Sequence, residues 1–171
     1  MDIAKRFLSY LPSQSGEVPS QVEVLKGSGK ELPHVLEYLP EQRNRVYDIK
    51  RIAKAIVDGG ELFEVKAKFG RPCITAFARL DGQSIGLVAN TPLHGAGALD
   101  ADCCDKITSF LVLCDSFNIP IITLVDTPGF LVGKEGERRK ITGKIINWMN
   151  ALSLVTVPKL TVVIRKIYGQ A

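Results

Sequence analysis

The chain has 171 residues, of which 46% are hydrophobic and 23% charged, with a formal net charge of +4. That length suits one ordinary domain able to bury about 70% of the surface of its unfolded chain. The charge is mild and its basic residues are spread rather than striped, which gives no case for nucleic acid, and no apolar run reaches the roughly 18 residues of a membrane span. The opening MDIAKRFLSY carries an acid and lacks an apolar signal core, so no export signal is read and the expected compartment is the cytoplasm.

Residues 11–44 are polar and punctuated by Pro12, Pro19, Gly27, Gly29, Pro33 and Pro40. They predict an irregular lead-in arm wrapped over something larger, not a core element. From Val46 the pattern changes. Val46, Ile49, Ile52, Ala53 and Ile56 recur at helical spacing until Gly59-Gly60. Leu62 to Lys68 alternates like a strand. Cys73 to Leu80 predicts a strand, Asp81-Gly82-Gln83-Ser84 a hairpin turn, and Ile85 to Ala89 its partner. A Gly-rich loop, Thr91 to Leu99, leads to a helix with Asp100 or Asp102 as N-cap and Cys104, Ile107, Phe110, Leu111 and Cys114 on its inner side. Pro120 to Val125 reads as a strand buried on both faces. Arg138 to Leu154 predicts a second helix, with Ile141, Ile145, Trp148 and Leu152 on one side. Leu160 to Ile164 predicts another buried strand, with Val162 and Ile164 inside. The order hairpin, helix, strand, helix, strand is an α/β pattern.

Four cysteines, Cys73, Cys103, Cys104 and Cys114, form no C-x-x-C pair. They offer no zinc pattern, and buried reduced thiols are expected. No metal site is assigned. The run KEGERRK, Lys134 to Lys140, is mixed in sign and reads as a solvated face.

In α/β proteins ligands sit at the carboxyl ends of strands. Two loops qualify: Asp126 to Gly133, and Tyr168-Gly169-Gln170-Ala171. Both have glycines at sharp turns, where exposed backbone N–H groups can hold an anion or oxyanion. Asp126-Thr127-Pro128-Gly129 has the D-x-x-G form of a GTPase phosphate sensor. The phosphate cradle G-x-x-x-x-G-K-[ST] that should accompany it is missing, since Gly136 to Ile145 has the wrong spacing and puts Ile145 where a hydroxyl belongs. Asp126 is read either as a general base or as a residue that caps the turn through its own backbone. His94 and His34 sit in loop and arm with no nucleophile-elbow serine or cysteine, so a triad has no support. Backbone dipoles are expected to carry the chemistry.

GLVAN (Gly86–Asn90), DSFNIP (Asp115–Pro120), TLVDTPGF (Thr123–Phe130) and TVPKLTVVIRKIYG (Thr156–Gly169) form an ordered series. It resembles the carboxyltransferase β subunit of biotin-dependent acyl-CoA carboxylases such as propionyl-CoA carboxylase, and related biotin-dependent decarboxylases share the pattern. RFLSYLPSQSGEVP (Arg6–Pro19) resembles the linker between the two halves of that subunit. The resemblance implies a crotonase-like layered ββα superhelix, with residues 1–44 as the linker arm from an N-terminal half and 45–171 as the first part of the C-terminal carboxyltransferase domain. It implies acyl-CoA bound by the N-terminal half and carboxybiotin received by the C-terminal half of another subunit. Carbon dioxide release, α-proton transfer to the biotin anion and enolate attack would follow, stabilised by two backbone oxyanion holes. The implied partners are that N-terminal half, biotin carboxylase and biotin carrier subunits, and further copies of the chain.

On this resemblance Gly169, Gln170 and Ala171 form the biotin-side oxyanion hole. We assign Gly129, Phe130 and Gly133 as cofactor-binding positions of the first loop. The family shows Y-G-G-A where this chain has Tyr168-Gly169-Gln170-Ala171, and Gln170 can donate its N–H as glycine does if its φ is negative. The loop around His94 has no match in the family pattern. A decarboxylase subunit working in the reverse sense, or a noncatalytic crotonase-like assembly domain, are the alternatives.

Overall fold

The computed structural model describes residues 2–24, 33–42 and 45–168. Its sheet has five strands in the order β1-β2-β3-β4-β5: β1 Phe63–Val65, β2 Cys73–Leu80, β3 Gln83–Asn90, β4 Ile121–Thr127 and β5 Lys159–Ile167. The first three run antiparallel, and β3-β4 and β4-β5 pair in parallel. The helices are α1 Asp2–Leu8, α2 Ile49–Ile56, α3 Ala101–Ser116, α4 Lys134–Arg138 and α5 Ile141–Leu154.

Strand periodicity sorts the core into two layers. On one face Cys73, Phe77, Val88 and Ile121 pack with Cys103, Ile107, Phe110, Leu111 and Cys114 of α3. On the other, Ile74, Ala76, Leu87, Ala89, Ile122 and Leu124 pack with Ile49, Ile52 and Ala53 of α2. Gly86 faces α3, where a Cβ would stand 2.5 Å from Cys114 Sγ, so the helix lies closer to the sheet than any side chain there would permit. All four cysteines are buried and free. Burial pushes the Cys104 and Cys114 thiols up to about 12, so they act as small apolar packing groups rather than nucleophiles. Lys106 is buried on the same helix, and its Nζ donates to the Cys73 carbonyl at 2.8 Å.

The hairpin turn is tighter than the sequence suggests. Asp81 and Gly82 both have positive φ, 52° and 75°, and Leu80 pairs directly with Gln83. This is the conformation that an Asp-Gly pair favours. The Asp58 carboxylate accepts from both turn amides, Asp81 N at 3.0 Å and Gly82 N at 2.7 Å. The N-cap of α3 is Asp100, whose Oδ1 accepts from Cys103 N at 2.8 Å.

Two expectations need correction. The helix foreseen over Arg138 to Leu154 breaks at Lys140, whose φ of 55° is left-handed, and continues as α5 from Ile141. The strand 160–164 forms, as part of β5, but it is not buried: Val162 is 41% exposed and Ile164 only half-buried. β5 is the last strand of the sheet, and α5 packs chiefly on α3. An apolar run reports what a strand needs covered, not what covers it.

The arm is attached along its described length. Tyr10 is 1% exposed, stacked on Phe77 at 5.8 Å between ring centroids, with the Arg79 guanidinium 4.6 Å from its ring. Phe7 packs edge-on to Phe77. Asn118 Nδ2 donates to the carbonyls of Ser15 and Glu17, both at 2.8 Å, and Val22 N donates to Gly82 O.

The connection into β5 depends on Asp115, which accepts from Thr156 N at 2.7 Å, Thr156 Oγ1 at 2.9 Å and Val157 N at 3.3 Å. The Thr156 amide first of all holds its carboxyl below the ordinary carboxylate range. The folded pKa is depressed, so this stabilisation is present above the unfolded value of about 3.9 and fades as pH falls through the folded one. Asp115→Asn is expected to lower the melting temperature at neutral pH, with the gap to the wild type closing in acid. Melts from pH 7 downward check this. A gap that stays constant into acid would show that the ionised carboxylate is not its source.

Candidate active site at the carboxyl ends of β4 and β5

The turn after β4 is organised by Thr127. Its Oγ1 donates to Gly97 O at 2.8 Å and accepts from Gly129 N at 3.1 Å, joining the Gly-rich loop to the turn. Leu99 N donates to Gly129 O and Leu131 N to Leu99 O, a short parallel bridge that holds the turn against the start of α3. Gly129 and Gly133 have φ of 114° and 108°, conformations that L side chains rarely adopt. Phe130 packs edge-on to Trp148 of α5, 5.5 Å between centroids.

Gly129, Phe130 and Gly133 therefore share one turn, with unequal roles. The Gly129 amide is taken by Thr127, while the amides of Phe130, Val132 and Gly133 have no partner among the described residues. A Cβ on Gly129 would stand 3.2 Å from the Tyr168 carbonyl, so the turn lies directly against the end of β5. Gly169, Gln170 and Ala171 lie outside the described residues. Open amides beside a glycine turn suit an anionic oxygen such as a ureido oxygen, so the turn fits biotin in the chemistry of its donors.

Asp126 plays neither role foreseen for it. Its carboxylate is fully buried. Oδ2 accepts from Arg165 Nε at 2.9 Å, and Oδ1 lies 3.7 Å from Lys166 Nζ. It faces away from solvent and towards these two cations, so it neither caps the turn nor offers a general base to a substrate. Burial first, then the nearby Asp126 carboxylate, pushes the Tyr47 phenol well above its ordinary value, so it stays neutral. His94 is held on the surface, with its Nε2 3.4 Å from Arg71 Nη2.

The sequence reading missed Thr127, Gly97, Arg165 and Lys166. Signals for three of them were present. A threonine before Pro-Gly is a common side-chain turn former, and two adjacent basic residues at the end of an apolar strand break its alternation.

A carboxyl transferase domain model matches residues 1–171. The chain belongs to the carboxyl transferase domain family. It is 39% identical to the carboxyltransferase subunit of propionyl-CoA carboxylase from Haloferax mediterranei, over all of this chain and 33% of that protein. It is 42% identical to methylmalonyl-CoA decarboxylase subunit alpha from Veillonella parvula, over 95% of this chain and 32% of that one. The transcarboxylase 12S core, a hexamer solved with methylmalonyl-CoA and methylmalonic acid bound, superposes with a TM-score of 0.95 at 41% identity, over 98% of this chain and 32% of that one. These neighbours place the sheet in the crotonase-like fold. The chain spans about a third of the length of the relatives it matches. No helix among the described residues is long and apolar enough to cross a membrane.

Proposed function

We propose that the chain forms part of the carboxyltransferase component of a biotin-dependent acyl-CoA carboxylase, with residues 1–44 as the arm from an N-terminal half and 45–171 as the first part of the C-terminal domain. The observation that carries this reading is the glycine turn Thr127–Gly133 seated against Tyr168 at the ends of two parallel strands, with the amides of Phe130, Val132 and Gly133 unpartnered among the described residues. Biotin, borne by a carrier subunit, supplies the transferable carboxyl group. The backbone of this chain orients its ureido oxygen: Gly169 provides the turn, Gln170 and Ala171 the N–H donors, and Gly129, Phe130 and Gly133 the facing wall. Thr127 keeps that wall rigid through its two hydrogen bonds. Acyl-CoA is held by the N-terminal half, other copies of the chain complete the assembly, and the protein works in the cytoplasm. The 42% identity to a methylmalonyl-CoA decarboxylase subunit favours a second reading, in which the carboxyl group passes from acyl-CoA to biotin.

The test is transfer of labelled carboxyl between biotin and a panel of short and branched acyl-CoA thioesters. The full-length protein is expected to catalyse it. The isolated 171-residue chain is expected to be inactive, because losing even one oxyanion donor costs about 10²–10³ in rate and the acyl-side hole lies elsewhere. Transfer by the isolated chain, or none by the full-length protein with any thioester, overturns the reading.

A further inference from the structure

β4 and β5 do not end in simple register. Val125 pairs with Val163 and Thr127 with Ile167, so Asp126 alone faces Ile164, Arg165 and Lys166. β5 therefore carries a bulge with two extra residues. In a regular strand consecutive side chains point to opposite faces. Here the consecutive Arg165 and Lys166 converge on one carboxylate, at 2.9 and 3.7 Å. Arg165 also donates from Nη1 to the Arg45 carbonyl at 3.1 Å, and its guanidinium lies 4.5 Å from the centre of the Tyr47 ring. Asp126 N donates to Asn90 Oδ1 at 3.4 Å. Asp126, through its carboxylate and its backbone amide, and Arg165 together thus connect β3, β4, β5 and the segment before α2.

Such a cluster adds little stability relative to well-packed apolar side chains, and its yield is geometry. The geometry here is the bulge, and bulges beside active sites re-aim the residues that follow them. Three residues past Asp126 lies Gly129, and two past Lys166 lies Tyr168, the pair in close contact across the two strands. A different number of residues in the bulge would slide Tyr168 along the Gly129 turn.

We propose that Asp126 is a positioning residue: with Arg165 and Lys166 it clamps the β5 bulge and so sets where Tyr168 meets the Gly129 turn. The proposal rests on the function proposed above, which makes the Gly129 turn, packed against Tyr168, one wall of an anion site.

The test uses the full-length protein with its carrier and the variants Asp126→Asn, Lys166→Met and Lys166→Arg, with Phe77→Leu as a core control. Asp126→Asn is expected to lower kcat per folded enzyme by about 10²-fold, the cost typical of a displacement near 1 Å. KM for acyl-CoA should stay within about twofold, because that substrate is bound elsewhere. Amide exchange should quicken in peptides spanning 126–133 and 164–171. Lys166→Met should shift both readouts in the same direction by less, and Lys166→Arg should restore them. Phe77→Leu should lower the melting temperature without changing either. Unaltered exchange and kcat in Asp126→Asn, or equal losses in the Phe77→Leu control, overturn the clamp. If Asp126→Asn does not fold, Lys166→Met decides, since it keeps the Asp126–Arg165 pair; unaltered exchange and kcat there overturn the proposal. If the wild type transfers no carboxyl group, the assigned function fails and exchange alone judges the clamp: faster exchange supports it and unchanged exchange overturns it.

Discussion

Ala171→Pro in the full-length protein is expected to stop carboxyl transfer at biotin while leaving acyl-CoA binding intact. Proline has no N–H, so the substitution deletes the donor assigned to this position outright. Loss of one such donor costs about 10²–10³ in rate, and the fixed φ of proline disturbs the neighbouring donor as well. Gln170→Gly is the matched comparison. It keeps the N–H and adds only backbone freedom, worth about 0.5–1 kcal/mol of stability, so most activity should remain. Steady-state kinetics on both variants, with folding checked by thermal melt, decide the matter. A folded Ala171→Pro protein with near-normal turnover would rule Ala171 out as a donor.

Gly97→Ala is expected to damage both stability and rate. Gly97 has a φ of 85°, and a Cβ there would stand 2.7 Å from the backbone oxygen of Asp126. Neither the left-handed backbone nor a main-chain oxygen gives way easily. The left-handed conformation costs about 1–2 kcal/mol, and the clash should bring the total to about 2–4 kcal/mol. The Gly97 carbonyl also receives the Thr127 hydroxyl, so moving it unseats the turn that carries Gly129. A rate loss of about 10²-fold is expected from that displacement. Gly95→Ala separates the two causes. Gly95 is also left-handed, at φ 54°, but a Cβ there meets only Pro72 Cγ at 4.0 Å. Chemical denaturation of the two variants should therefore differ by the clash alone. Equal losses in both would show that the contact with Asp126 is not what makes Gly97 necessary.

Local rules made much of this fold legible. β2 matched over its whole predicted length, Cys73–Leu80, because its end is set by a neighbouring Asp-Gly turn. The buried side of α3 followed from helical spacing, and its cap resolved to Asp100. The candidate turn was visible as an acid, a proline and a glycine after an apolar run. The misses share another cause. Asp126 looked like a turn residue until Arg165, 39 positions away, supplied its partner. The adjacent Arg165 and Lys166 break the alternation of β5, but the length of the bulge is a relation between two strands and is not written within either one. The exposure of Val162 depends on what lies beside β5, which no periodicity in residues 160–164 can specify.

The arm sets more than a distance. A flexible tether fixes how often two bodies meet, whereas a strap fixes the heading at which one leaves the other. Tyr10 in its slot against Phe77 and Arg79, with Asn118 gripping Ser15 and Glu17, makes this segment a strap. Drawing a buried aromatic of that size into water costs about 1.5–3 kcal/mol, so the strap is slack in fewer than about one molecule in ten. A body joined ahead of Asp2 would leave the sheet at one bearing, and any reorientation would pivot upstream of Phe7 rather than along residues 7–22. Replacing this stretch with a glycine-serine sequence of equal length would preserve reach and abolish aim.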